Sequence, residues 1–372
     1  MENETIKLEI GGAETGDLYD DIVSLEVELD DELAGMARLM LAMPQDDDGT
    51  WKYVDDPRFI VGQSLVLTVT VGGETDKLFT GSVTHLKPDF GGDLDECRLE
   101  IWAMDRSVSM DRDDVIAAWP NYKDSDIAAQ VFQTHGLTPK VDDTDVVHDE
   151  EVSTIIQRET DIRFLKRLAA RNGYECYVEG KTGHFRKPDL TAPPQPVLAV
   201  QFGDDTNVFK FAVTVDGLAP ADIAMSQLDR ISKEAHRVVV SSPAQRALGK
   251  TAAGHYVGGG LAGLIEIGQT VTTGAPEMTR LCQGVYDKSE WFVVGEGEVA
   301  ANQYGHILRP RRTVTIKGVG ETYSGLWYVT HVTHAFTPNG YTQQFRVKRN
   351  ALMLTGTENF AGQGLSLPGV PL

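Results

Sequence analysis

The sequence predicts a mainly β, α+β chain in which two strand-rich segments flank a helical one. Three observations predict it. Strict period-two alternation recurs through roughly the first hundred residues. From about Asp105 the apolar spacing lengthens to that of helices, and beyond a proline-rich stretch at Ala192-Pro193-Pro194-Gln195-Pro196 alternation returns. Period two with polar partners buries one face and wets the other, the habit of antiparallel sheets and barrels.

In chain order, strands are expected at Ile6–Ile10, Val23–Leu29, Ser64–Val71 and Cys97–Ala103. Turn signals stand between them at Gly11-Gly12, Gly72-Gly73, Pro88-Asp89 and Gly91-Gly92, and the acidic segment Pro44–Pro57 reads as a long loop. Asp124 or Ser125 can cap a helix carrying Ile127, Ala128, Val131 and Phe132, with Gly136 as its stop. Thr160 can cap a second helix with Ile162, Leu165, Leu168 and Ala169 on one stripe, ended by Gly173. Strands return at Tyr174–Glu179 and His184–Arg186. The prolines of 192–196 suit a linker, since proline removes a donor from helix or central strand. Further strands are expected at Val197–Phe202, Val208–Val215, Thr313–Lys317, Leu326–His334 and Tyr341–Arg349. Between them, 217–280 has no clear pattern, the glycine-rich 258–263 reads as a loop, and Glu277–Val285 and Glu298–Tyr304 can be helical. The tail from Thr357, rich in Gly and Pro, forms no regular element.

At 372 residues the chain is long enough for two or three domains. A hydrophobic fraction of 41% with 8% aromatics excludes a wholly disordered chain. Residues 1–160 hold 12 bases against 37 acids, while 161–372 hold 22 against 18, so the net −21 lies wholly in the first part. That balance opposes a nucleic-acid-binding surface, because phosphates repel it. The three cysteines, with no CxxC, suit a reducing compartment and exclude a disulfide scaffold. The acidic start and the lack of a long apolar run predict cytoplasmic synthesis, with no Sec export and no membrane span.

Motifs for chemistry are weak. Gly249-Lys250-Thr251 lacks the earlier glycine of a phosphate loop, since Ala244 stands there. His331 and His334, three apart on a strand, point to opposite faces and cannot share a zinc ion; a buried, hydrogen-bonded His334 is expected instead. His148, beside Asp149, Glu150 and Glu151, and the run Asp46-Asp47-Asp48 lack the order of a calcium loop and read as solvated. Cys176, among aromatics, reads as core. The expectation is a protein that is not an enzyme, with no cofactor, no catalytic residue and no metal site.

Three stretches together resemble one family, the phage late control protein D group of baseplate hub proteins. They are Glu159–Tyr174, similar to the family's helix-then-strand motif; Val314–Gly320 with Tyr323–Val329, His331 and His334; and Gly340–Asn350, similar to its closing strand. Leu78–Val83 resembles the matching strand of a first barrel. The resemblance implies two tail-tube-like antiparallel β-barrels joined by an α/β insert: a first barrel at 1–105, a helix-strand insert at 106–191, a second barrel at 197–356 with an insertion at 217–280, and a tail at 357–372.

The function it implies is that of a trimeric baseplate hub in a contractile tail or injection machine, joining a six-fold inner tube to a three-fold central spike. The implied partners are two further copies of the chain, the inner tube protein, the spike, and baseplate wedge or LysM-type adaptor proteins. DNA or protein cargo would pass only transiently. The chain ends at Leu372, so the needle domain fused in type VI VgrG relatives is expected as a separate chain. The alternative from another class is a tail-tip cell-wall hydrolase. Phe360, Leu365, Leu367, Pro368, Val370 and Pro371 are expected to bind the spike or a neighbouring subunit as an extended arm. A channel wall that repels a polyanion is expected to be acidic, lined by Asp46, Asp47, Asp48, Asp142, Asp143, Asp145 and Asp149.

Overall fold

The computed structural model describes residues 4–229, 231–256 and 263–360. It is mainly β, with 45% strand and 19% helix, and most of its strand pairs are antiparallel. Thirteen strands form one sheet. From one edge it runs Val208–Val215, Val293–Ala300, Gly340–Arg349 and Gly325–Thr337, and continues through Ile22–Asp30, Met36–Ala42, Arg98–Met104, Glu74–Asp89, Ser64–Val71 and Glu4–Ile10 to Ala13–Glu14. Thr313–Lys317 also pairs with Gly325–Thr337 and carries Gln195–Ala199 in parallel on its other side.

Alternation builds both lobes of this sheet. Strand Ser64–Val71 buries Leu65, Leu67, Val69 and Val71 and turns Val66, Thr68 and Thr70 outward, which puts one hydrocarbon face on the core. The first lobe's core gathers Leu8, Leu25, Val27, Leu39, Leu67 and Ile101; the second gathers Trp327, Phe292, Val314, Val329 and Phe345. Each fully buried Leu or Phe contributes about 1.5–3 kcal/mol from apolar burial. The two barrels implied by the family resemblance are not closed. Both lobes are parts of one open ladder, and the ends of the second meet in a single isolated bridge, Val200–Val208. At that meeting point Gly318 is left-handed (φ +87°), and a Cβ there would lie 1.9 Å from the Val200 carbonyl oxygen, so only glycine fits.

A third core belongs to the helices Asp124–Thr134 and Asp161–Asn172, which pack with Glu175–Glu179 and Thr182–Arg186 around Phe132, Phe164, Leu165 and Phe185. Thr160 is the N-cap and Gly173 the left-handed C-cap of the second helix. The first helix is preceded by Lys123, not capped by Asp124 or Ser125, because the Asp124 carboxylate is drawn into the buried cluster described below. Strands Asp114–Trp119 and Ile155–Thr160 also pair here, in a stretch where the sequence suggested helices alone.

The unpatterned 217–280 builds a small sheet of Ala221–Leu228, Ala235–Val240 and Gly263–Ile267, covered on one face by helix Ala275–Ser289. Of the glycine-rich loop at 258–263, only Gly263 lies among the described residues. Three boundaries differ from the sequence reading. Val293–Ala300 is a strand, followed by one helical turn at Ala301–Tyr304, because Gly295 and Gly297 leave room for the Phe211 and Phe345 rings on neighbouring strands. The proline stretch ends inside strand Gln195–Ala199, which tolerates Pro196 because it is paired on one side only. Met36–Ala42, unmarked in the sequence reading, is a central strand.

Candidate functional site

The feature that sets this sheet apart is the seam between its lobes, carried by strand Gly325–Thr337. Its first residues, to Tyr328, pair with Thr313–Lys317, and from His331 onward they pair with Ile22–Asp30. The register shifts between Val329 and His331, where the strand changes partner, and Thr330 offers its carbonyl to the Asp31 N–H. Ionic contacts fix this crossing. His331 Nδ1 lies 2.9 Å from Asp30, Lys348 Nζ 3.0 Å from Asp31, and the Arg311 guanidinium donates to the Asp30 carbonyl. Burial works to raise the Asp30 pKa, but the His331 bond and the N–H groups of Glu32 and Leu33 outweigh it and hold it at about 2. For Asp31 burial wins and pushes the carboxyl up.

Cross-strand partners carry a polar face over the seam. Glu28 stands opposite Thr333, His331 opposite Arg346, Arg346 opposite Glu296, and Glu298 opposite Lys210. A hollow of about 420 Å³ lies over the second-lobe part of this row. Charges of both signs stand on it; the Arg346–Glu296 pair at 2.9 Å is exposed and contributes at most about 1 kcal/mol. This mixed, wet face suits an aqueous boundary better than a tight apolar interface.

The residues named from the sequence fall in separate places. Asp46, Asp47 and Asp48 are exposed on a turn closed by the Gln45–Trp51 bridge, where Asp46 N–H donates to Thr50 O and Thr50 N–H to Asp48. Asp142, Asp143, Asp145 and Asp149 are also exposed, but beside the helices: Asp143 pairs with Lys123 at 3.0 Å, Asp145 with Arg280, and Asp142 accepts the Lys187 N–H. No hydrogen bond or ion pair joins the two groups among the described residues. Phe360 is half-buried; Leu365, Leu367, Pro368, Val370 and Pro371 lie outside the described residues.

One cluster went unseen in the sequence. His148, read as part of a solvated acidic loop, is 1% exposed. Its Nε2 is 2.7 Å from Asp124 and its Nδ1 3.5 Å from Glu277, while Arg171 pairs with Glu277 and Asn172 Nδ2 donates to Asp124 at 2.7 Å. Burial opposes charge on the imidazole, but the two carboxylates prevail and hold its pKa at about 9. The cluster ties both helices of the third core to helix Ala275–Ser289. Close approach of Gly284 to Gly173 completes that contact, since a Cβ on Gly284 would lie 2.7 Å from the Gly173 nitrogen. Nothing local marks His148, because its partners stand 24 and 129 residues away.

Two further groups noted in the sequence, His334 and Cys176, are buried. His334 is fully buried and bonded through Nδ1 to the Tyr341 hydroxyl at 2.7 Å, and burial keeps its pKa well below the usual range. Burial pushes the Cys176 thiol up to about 12, so it stays protonated. Among the described residues no group of three or more His, Cys, Asp or Glu side chains is arranged to hold a metal ion, and no helix is long and apolar enough to cross a membrane.

The fold resembles that of several solved tail proteins. It resembles the prophage MuSo2 43 kDa tail protein of Shewanella oneidensis at a TM-score of 0.69 and 15% identity, over 94% of this chain and 99% of that one. It resembles a tail protein of Neisseria meningitidis MC58 at 0.63 and 11%, over 94% and 98%. The Escherichia coli c3393 protein, a component of the type VI secretion system, is similar at 0.53 and 11%, over 88% and 73%. Within this fold the family is defined by sequence. A family model, the Alg8 N-terminal domain, matches residues 1–338, and the chain belongs to that family. The family matched is thus the Alg8 N-terminal domain and not the late control protein D group that the motifs resemble. No curated protein matches the chain.

Proposed function

We propose that the chain is a structural hub of a contractile tail or injection machine, and that three copies join an inner tube to a central spike. The observation that carries this reading is the unbroken sheet: two tail-protein lobes share strand Gly325–Thr337, so one chain presents two similar strand surfaces in fixed relation. Three such chains would offer six lobes to a six-fold tube. In this reading 1–105 and 197–356 are the two tube-like units, 106–191 is the insert with 217–280 as an elaboration, and 357–372 reaches the spike or a neighbour. The wet face over the seam is the natural channel wall, with the acidic loops at 46–48 and 142–149 adding negative charge along the passage. The role is structural and not catalytic, in keeping with the burial of Cys176 and His334.

Co-expression with the tube and spike proteins of the same particle tests the reading. Both should co-purify with the chain, and deletion of 358–372 should weaken the spike more than the tube. A chain that captures neither, or that clears peptidoglycan in a zymogram, contradicts it.

A further inference from the structure

A cleft of about 610 Å³ opens where the first lobe, the insert and the segment Arg309–Arg312 meet. Tyr177 forms part of its wall and gathers three groups: His184 stacks on the ring at 4.4 Å between centroids, and the guanidinium carbons of Arg311 and Arg186 lie 3.8 and 5.6 Å from its centre. Both arginines carry a buried Nε–H with no hydrogen-bond partner. Arg311 also sits in left-handed backbone (φ +62°), a conformation costly for a side chain of its size and one that concentrates at functional positions. Arg312 and Lys140 line the same cleft, and neither is in an ion pair among the described residues.

The carboxylates of this wall do not answer those donors. Asp76 is taken by Arg309, and Asp30 by His331 with two backbone N–H groups. Asp105 accepts from Gly35 and Ser107, and Asp189 from the N–H groups of Thr191 and Ala192. Glu179 turns outward, 3.9 Å from His184. Arg311 gives one N–H to the Asp30 carbonyl and feels the charges of Asp105 and Glu175, and Asp189 acts on Arg186. Among the described residues, however, no carboxylate pairs directly with Arg186, Arg311, Arg312 or Lys140, in a chain of net charge −21. Buried donors are satisfied almost without exception, and a planar guanidinium fork matches the two oxygens of a carboxylate or phosphate.

We propose that this cleft binds an oxyanion of the carboxylate or phosphate class, held by Arg186 and Arg311 against Tyr177 and drawn in by Lys140 and Arg312. The site is independent of the hub reading. Its volume suits a small molecule or a few residues of an acidic segment.

Calorimetry and thermal melting of the purified full chain with sodium phosphate and with sodium citrate, against sodium chloride at equal ionic strength, test the assignment. At least one oxyanion should raise the melting temperature beyond the chloride control and titrate to one site per chain. Phosphate alone assigns a phosphate ligand; citrate alone, or both, assigns carboxylate chemistry to the site as well. Arg186→Gln should weaken binding at least tenfold, and Arg186→Lys, which keeps charge but loses the fork, should weaken it too. Lys140→Gln, an exposed change that leaves the fold intact, should weaken it a few-fold. Neither oxyanion exceeding chloride, or Arg186→Gln and Lys140→Gln binding as the unaltered chain does, overturns the proposal.

Discussion

The two lobes share one sheet but are held by different means. In the first, the buried face is almost purely hydrocarbon, and its buried polar side chains among the described residues are Thr15 and Glu100. In the second, fully buried polar groups reach from strands to loops. Arg349 is completely buried, with no carboxylate hydrogen-bonded to it and Glu358 acting on it only through space; it donates to the carbonyls of Leu248, Tyr323, Ser324 and Met353. Gln343 bridges Leu308 N–H and the His306 carbonyl, and Asn350 bridges Leu248 N–H and the Arg246 carbonyl. Hydrocarbon alternation builds strands; these polar bridges position the loops around them. Burial drags the Arg349 pKa down to about 10, still high enough to keep it charged at neutral pH.

The largest effect should come from breaking the second lobe's bridge. Arg349→Ala should cost about 3–5 kcal/mol, because four buried carbonyls lose their donor. In amide exchange, protection should fall around 248, 323–324 and 353 while residues 64–71 keep theirs. Leu39→Ala in the first lobe should cost about 2–5 kcal/mol through its cavity, with the opposite exchange pattern. Gln343→Ala comes next, at about 1–3 kcal/mol, since it orphans two backbone groups. If either lobe's variant unprotects both lobes equally, the division of labour drawn here is wrong.

A smaller, pH-dependent effect sharpens the comparison at the third core. His148 has a folded pKa of about 9 against an ordinary 6.5, so its contribution is complete below pH 6.5 and is lost as pH rises through 9. His184 runs the other way: burial holds it near 4, so its contribution is present above pH 6.5 and fades as pH falls toward 4. Melting curves of His148→Gln should lose the alkaline slope and keep the acidic one. The smallest effect belongs to the wet face, where Glu296→Ala should change stability by at most about 0.5 kcal/mol.

This contrast also explains what could be read from the residues. Ser64–Val71 and Val208–Val215 were legible to the residue because alternation is local. Val293–Ala300 was not, since the glycines that admit Phe211 and Phe345 between strands carry no hydrophobic signal of their own. Arg349 and His148 were missed for a common reason. Each is buried against partners far along the chain, and a lone Arg or His in a polar stretch looks solvated. Asp46, Asp47 and Asp48 are exposed, as read, whereas the stretch 142–149 is divided: its aspartates are exposed, but Thr144 and His148 between them are buried.

The central claim is that one chain, with its two lobes on a shared sheet, is a third of a ring. Native mass spectrometry of the purified chain at micromolar concentration, alone and with spike protein, tests it most directly. A species of three times the chain's mass, alone or with the spike bound, is the predicted result; a chain that stays monomeric in both samples would contradict it.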